Sequence, residues 1–154
     1  MVNIRNYTSG VPVERSVSFI EKRLVETGAS HIMKQYGPEG ELSNIIFSLP
    51  GPRNNAPVPI KLPANIEKCH SLLAGQVKRP RKGTMAKIRS QAERTAWKLL
   101  ADWVDVQISM IKLGQAEPLE IFLPYLFDSH RQQTFYGSLK ESGFKALPFT
   151  PSSV

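Results

Sequence analysis

The stretch that decides the fold runs from Lys78 to Gly114 and reads KRPRKGTMAKIRSQAERTAWKLLADWVDVQISMIKLG. It begins as a basic turn and continues with apolar residues at helical spacing. We predict one long amphipathic helix after the turn, with Thr84 as its N-cap and Gly114 just past its end. About 30 residues at ~1.5 Å each give a helix of roughly 44 Å, long enough to be the spine of the fold.

The two faces of this predicted helix differ in character. One stripe is apolar and is expected to face the core: Met85, Ile88, Ala92, Ala96, Leu99, Trp103 and Met110. Lys87, Arg94 and Lys98 fall on the opposite side, and Trp97 falls on the flank, between the stripe and solvent. Farther along the helix the apolar face is widened by Leu100, Val104, Ile108 and Ile111, so we expect this half to be more deeply enclosed and to serve as scaffold.

The positive charge of the chain is concentrated at the start of the same stretch. Between positions 78 and 98 the only acid is Glu93, and there are eight cations: Lys78, Arg79, Arg81, Lys82, Lys87, Arg89, Arg94 and Lys98. This local excess equals the formal net charge of +7 for all 154 residues, so the rest of the chain is neutral overall. The basicity is therefore a local feature and not a general property of the surface. A local cluster of cations favours binding of an anionic partner.

The remaining sequence predicts an α+β domain. The pattern indicates a helix after Pro12 and strands at 30–36, 42–49 and 58–62, and Pro59 indicates that the third strand is either an edge strand or an irregular one. A short helix follows at 66–75, then the basic turn and the long helix, and a further helix is predicted over 129–143. The predicted fold is thus a helix, a three-stranded antiparallel sheet, a long amphipathic helix and shorter C-terminal helices. Residues 1–146 are predicted to form a single domain, and residues 147–154 a loose C-terminal tail.

Composition limits the compartment and the class of protein. No apolar run approaches the ~20 residues that a membrane span requires, so no membrane partner is expected. The start, MVNIRNYTSGVP, lacks the apolar region of a signal peptide. The single cysteine, Cys69, excludes an internal disulfide. We therefore expect a cytoplasmic protein.

Catalytic and metal-binding patterns are weak in this sequence. Cys69 and His70 are neighbours on a predicted helix, so their side chains point roughly 100° apart and do not form a nucleophile–base pair. No Cys/His spacing is typical of a zinc site. The acid pairs Asp102/Asp105 and Glu117/Glu120 would suit Mg²⁺ in a nuclease, although ordinary surface acids explain them better. We predict no catalytic residue, no metal and no cofactor.

The order of elements is similar to that of a double-stranded RNA-binding domain. In both, a helix and three strands precede a basic turn at the start of a helix with Lys and Arg on one face. That resemblance implies that the cluster contacts phosphates across a groove. The chain departs from the family pattern by an extra helix at 64–75, and by a first hairpin turn, GPEGE, that lacks the family's usual histidine.

Over most of its length the chain resembles small uncharacterised proteins encoded by bacteriophages and integrated mobile elements. The matching pieces are VPVERSVSFIEKRLVETGASHIMKQY, PIKLPANIE, KRPRKGT, QAERTAWKLLADWVDVQISMI and EIFLPYLF. The resemblance implies a genomic context in which proteins often act on nucleic acid or block host defence systems.

Our first hypothesis is a non-enzymatic protein that binds the phosphate backbone of DNA or RNA. The predicted site comprises Lys78, Arg79, Arg81, Lys82, Lys87, Arg94 and Lys98, with Trp97 as an aromatic that stacks on bases. The alternative is a protein-binding inhibitor of a host defence or regulatory factor, whose basic surface docks on an acidic host protein. Capture of a small anionic nucleotide near the turn is a third reading. The apolar segment Leu119–Phe127 is expected to be a core element, and its alternative role is an interface in a homo-oligomer or with a partner protein.

Overall fold

A computed structural model describes residues 3–148 of the chain. Its helices and strands, in chain order, are α1 (Val13–Glu26), β1 (Ile32–Tyr36), β2 (Leu42–Pro50), β3 (Pro57–Pro63), α2 (Ile66–Ala74), α3 (Thr84–Lys112), α4 (Pro118–Phe122), β4 (Phe127–Asp128), β5 (Gln133–Thr134) and α5 (Phe135–Glu141). A 3₁₀ turn at Leu123–Tyr125 follows α4. The predicted α+β class is confirmed.

The first sheet is antiparallel and has the order β1-β2-β3. Along β2 the side chains of Ile45, Phe47 and Leu49 alternate inward, which is the period expected for a strand with one buried face. Phe47 pairs with Ile32 of β1 and with Ile60 of β3, so this row of side chains lies on the same face. Of the two alternatives predicted for the strand that contains Pro59, the structure has the edge strand, and Pro59 stands opposite Ser48 there.

The helices cover the buried face of this sheet. Helix α1 begins after Pro12, buries Val17, Ile20 and Leu24, and ends before Gly28, whose φ of +93° favours glycine. Both α1 and α2 pack against α3. The long helix therefore lies at the centre of the helical layer, and the prediction that it is the spine is confirmed.

Helix α3 is continuous from Thr84 to Lys112, but the face that it buries differs from the predicted stripe. Its fully or nearly buried residues are Ala92, Thr95, Ala96, Trp97, Ala101, Val104 and Ile108. Met85 and Leu99, which were predicted to face the core, are exposed. From Trp97 onward the core uses a second row of side chains, spaced by four and three residues and rotated from the predicted stripe by about 150°. Val104 and Ile108, which the sequence places on the widened apolar face, belong to this buried row.

The C-terminal region differs from the single helix that the sequence predicts. Residues 127–134 form a small antiparallel hairpin of β4 and β5, and α5 starts only at Phe135. Asp128 explains the difference, because its carboxylate accepts hydrogen bonds from the backbone N–H groups of His130 and Arg131 and so favours a turn over a helix. The core receives Phe122, whose ring makes edge-to-face contacts with Phe47 and Trp103.

Within residues 3–148, no helix combines the length and the apolar composition needed to cross a membrane. Of the predicted C-terminal tail, Leu147 and Pro148 are exposed. Residues 149–154 lie outside the described part of the chain.

Candidate anion-binding site

The basic residues at 78–82 lie in a loop between α2 and α3, which we call the basic loop (residues 77–83). Two hydrogen bonds close its end, one from the N–H of Thr84 to the carbonyl of Arg81 (3.0 Å) and one from the N–H of Arg81 to Oγ1 of Thr84 (2.9 Å). Gly83 caps α3 with a φ of +84°, a conformation that side chains with a Cβ rarely adopt. Thr84 is therefore the first residue of α3 and not its N-cap, one position away from the prediction.

Five cations of this region project into solvent: Lys78, Arg79, Arg81, Lys82 and Lys87. None of them forms a salt bridge with any acid in residues 3–148. No acid stands in the first turn of α3, where the helix dipole favours a negative charge. The loop and the first turn of α3 thus present positive charge that no described side chain neutralises.

Arg89, a turn further along α3, is used inside the fold. Its guanidinium bonds to the carboxylate of Glu67 on α2 at 2.7 Å and lies 3.7 Å from Glu93. The hydrogen bond from Arg89 holds the pKa of Glu67 below its usual value. Arg89 therefore links α2 to α3 instead of extending the exposed cluster.

The N-terminal segment, residues 3–12, covers the part of the predicted cationic face that contains Arg94 and Lys98. Arg94 donates from Nε to the carbonyl of Ser9 (3.2 Å) and from a terminal nitrogen to Oε1 of Gln91 (2.6 Å). Gln91 also donates to the carbonyl of Ser9 (3.0 Å), and Thr95 donates to the carbonyl of Asn6 (2.9 Å). The backbone of the segment therefore occupies this face.

Asp102 anchors the same segment. Its carboxylate accepts hydrogen bonds from Lys98 (2.5 Å), Asn6 (2.9 Å) and Arg5 (3.2 Å). Burial raises the pKa of Asp102, but the hydrogen bonds from Lys98, Asn6 and Arg5 together outweigh it, so the pKa lies below the ordinary 3.8. Lys98 thus neutralises an acid of its own chain. Helical spacing places Lys98 one turn from Asp102. It gives no signal for the contacts of Asp102 with Arg5 and Asn6, because these residues are almost 100 positions away in the sequence.

Trp97 does not lie on the flank of α3, so the prediction that it stacks on bases is wrong. Its side chain is fully buried, and its Nε1–H donates to the carbonyl of Leu42 at the start of β2 (3.1 Å). A buried indole with its one donor satisfied is a core residue. Arg94 and Lys98 are close to Trp97 in sequence, but their side chains bond to Ser9 and Asp102. Their charge therefore does not show that Trp97 is exposed.

An apolar pocket of about 540 Å³ lies between α2 and α3, which we call the α2–α3 pocket. Leu72, Cys69, Leu99 and Trp103 are among its walls, and Lys68 is the one cation that lines it. Burial raises the pKa of the Cys69 thiol, which disfavours the nucleophilic thiolate. The lining of the pocket suits apolar side chains better than it suits catalysis, and no local pattern in the sequence indicates the pocket.

The acid pairs considered for Mg²⁺ have other partners. Asp102 belongs to the cluster described above, and Asp105 forms a salt bridge with Arg23 of α1, with 3.0 Å between Oδ1 and Nε. Glu117 and Glu120 form a capping box at the start of α4, each side chain bonding to the other's backbone N–H. Among residues 3–148 no three His, Cys, Asp or Glu side chains are grouped as metal ligands.

Comparison with protein-family models, with curated proteins and with solved structures finds no match. The site must therefore be interpreted from its own geometry.

Proposed function

We propose that this protein binds nucleic acid through the basic loop and Lys87, without catalysing a reaction. The observation that carries the proposal is the contrast between the two groups of cations. Arg89, Arg94 and Lys98 are held by groups of the chain itself, whereas Lys78, Arg79, Arg81, Lys82 and Lys87 are exposed. Five uncompensated charges within ten residues suit a polyanion such as the phosphate backbone.

The arrangement supports contact with phosphates and not recognition of sequence. Lys and Arg side chains on a loop before a helix N-terminus can reach successive phosphates. The aromatic side chain predicted to stack on bases, Trp97, is buried and does not contribute. We therefore expect salt-sensitive binding with a Kd of roughly 10⁻⁴–10⁻⁶ M at physiological salt, the range of non-specific contacts.

The experiment is a titration of labelled single- and double-stranded DNA and RNA at two salt concentrations. It compares the wild type with a loop variant that combines Arg79→Ala, Arg81→Ala and Lys82→Ala. For duplex DNA the slope of log K against log salt should fall by about three in the loop variant, because each lost phosphate contact removes about one. A matched control removes three exposed cations elsewhere, with Arg15→Ala, Lys22→Ala and Lys140→Ala.

Binding that is lost in the loop variant and retained in the control supports the proposal. Equal losses in both variants would show that only total charge matters, and the assignment to the loop would be abandoned. Absence of binding to all four nucleic acids at low salt would overturn the function and redirect attention to an acidic protein partner, sought by capture on immobilised wild-type and loop-variant protein.

A further inference from the structure

Helix α3 carries an apolar stripe that the fold covers only in part. Leu99, Val106 and Leu113 have 40%, 57% and 77% of their surface exposed, and Trp103 and Met110 lie half-buried between them. The five positions are separated by four, three, four and three residues, the spacing of a face that packs against another helix. We call these five residues the α3 stripe.

The α2–α3 pocket adjoins one end of the α3 stripe. Leu99 and Trp103 belong to both features, and Leu72 of α2 forms a further wall that is partly exposed. At the other end of the stripe stands Leu113, the most exposed of its side chains. The chain therefore carries an apolar cavity and a projecting apolar side chain on one face of one helix.

The two ends of the stripe are placed symmetrically. Leu99 and Leu113 each lie seven residues from Val106. If two copies of α3 pack antiparallel around a two-fold axis at Val106, Leu113 of each copy stands opposite Leu99 of the other, at the mouth of the α2–α3 pocket. A two-fold interface requires this kind of self-complementarity, in which one patch supplies both the projection and the cavity.

We propose that the α3 stripe is the interface of an antiparallel homodimer, in which Leu113 of each copy enters the α2–α3 pocket of the other. Val106 meets its own counterpart at the axis. This inference does not depend on binding of nucleic acid.

The charges around the stripe permit self-association. Asp102 is neutralised by Lys98, Asp105 by Arg23 of α1, and Lys112 by Glu26 of α1. The basic loop directly precedes α3, and the first residue of the helix, Thr84, lies about 33 Å along the helix axis from Val106. This distance is several times the Debye length of ~8 Å in physiological salt. In the antiparallel arrangement the two basic loops lie at opposite ends, and their repulsion is screened.

The size of the stripe predicts a modest affinity. Its ends are about 21 Å apart along the helix. Five side chains and one pocket on each copy cover less than the roughly 800 Å² per partner of a standard interface. We therefore expect a dimer that dissociates on dilution.

Sedimentation velocity over a wide range of protein concentration tests the inference. The wild type should rise from 17.2 kDa toward twice that mass. Leu113→Asp and Val106→Asp should each weaken association about tenfold or more, because each places a charge in an apolar contact. Val25→Asp is the matched control, since Val25 is an apolar residue of α1 with 59% exposure that lies off the stripe. The unfolding transitions of all three variants establish that each is folded.

A cross-link tests the axis itself. Val106→Cys should give a disulfide-linked dimer under mild oxidation, because only a residue at a two-fold axis meets its own copy, whereas Val25→Cys should stay monomeric. A wild type that remains monomeric at every concentration overturns the proposal. So does a dimer that survives Leu113→Asp and Val106→Asp, or a Val106→Cys variant that cross-links no better than Val25→Cys.

Discussion

Asp102 shows how one side chain can organise a distant part of the chain. Its carboxylate holds Lys98 of its own helix and both Arg5 and Asn6 of the N-terminal segment. Because its side chain is only 22% exposed, the charged form depends on these donors. The sequence favours an ordinary surface role for this acid, but in the structure Asp102 connects the N-terminal segment to α3.

Asp102→Asn should lower the free energy of unfolding by about 1–2 kcal/mol at neutral pH, since hydrogen bonds to a charged acceptor are replaced by weaker ones. The pKa of Asp102 is lowered by folding, so its contribution is present above the ordinary pKa of 3.8 and is lost as the pH falls through the lower pKa of the folded state. The difference between wild type and variant should therefore shrink below pH 3.8.

Urea unfolding at neutral and at acidic pH measures this difference. Glu39→Gln is the control, because Glu39 is exposed and its carboxylate forms no salt bridge within residues 3–148. A difference between Asp102→Asn and wild type that stays constant down to acidic pH would contradict the assigned role.

At the scale of the element, the cations of α3 lie in two different environments, although the sequence places them on one face of the helix. Lys87 projects freely near the basic loop, whereas Arg94, two turns later, is bonded to the N-terminal segment. Both are cations at helical spacing, and the sequence of α3 contains nothing that separates them. Their contacts with the rest of the fold make them different.

Lys87→Ala and Arg94→Ala should therefore change different properties of the protein. Arg94→Ala should lower the free energy of unfolding by about 1 kcal/mol, because its hydrogen bonds to Ser9 and Gln91 are lost, and leave the salt dependence of nucleic-acid binding unchanged. Lys87→Ala should change stability by less than ~0.5 kcal/mol and reduce the salt slope by about one. Urea unfolding and the binding titration measure the two quantities on the same samples. Equal salt slopes for the two variants would refute the division of the helix.

At the scale of the whole molecule, a cluster of aromatic side chains joins the sheet, helix α3 and the region that follows α3. Phe122, from the region after α3, contacts Phe47 of the sheet at a ring-centroid distance of 5.3 Å and Trp103 of α3 at 5.9 Å. Trp103 in turn contacts Tyr125. Since Phe122 is fully buried, the C-terminal region is packed into the same core as the sheet and the helices.

Phe122→Ala should lower the free energy of unfolding by about 3–5 kcal/mol, through lost burial and the cavity left among these rings. Leu123→Ala, the exposed neighbour, should cost less than about 1 kcal/mol. Urea unfolding followed by near-ultraviolet circular dichroism compares them. If instead Phe122→Ala loosened only the C-terminal region, with protease cleavage there and an unchanged global transition, the single core would be disproved.

The sequence by itself determined the elements whose signals are local. Apolar spacing gave α1 and α3, Gly28 and Gly114 gave their ends, and the position of Pro59 gave the edge strand. It also located the positive charge, because charge is a property of residue type. The hairpin at 127–134 was missed, since an Asx turn at Asp128 competes with a weak helical pattern.

Only the tertiary structure decided which parts of these elements are buried. Beyond Trp97 apolar residues occupy more than one row of α3, so helical periodicity cannot say which row meets the sheet. The core took the row of Trp97 and Val104, and left Leu99, Val106 and Leu113 exposed. Lys98 is paired within α3 by Asp102, which is a local contact. By contrast, it is the backbone of the N-terminal segment, through the carbonyl of Ser9, that removes Arg94 from the candidate site. The choice of the buried row and the removal of Arg94 both depend on contacts between residues far apart in sequence, which no local pattern encodes.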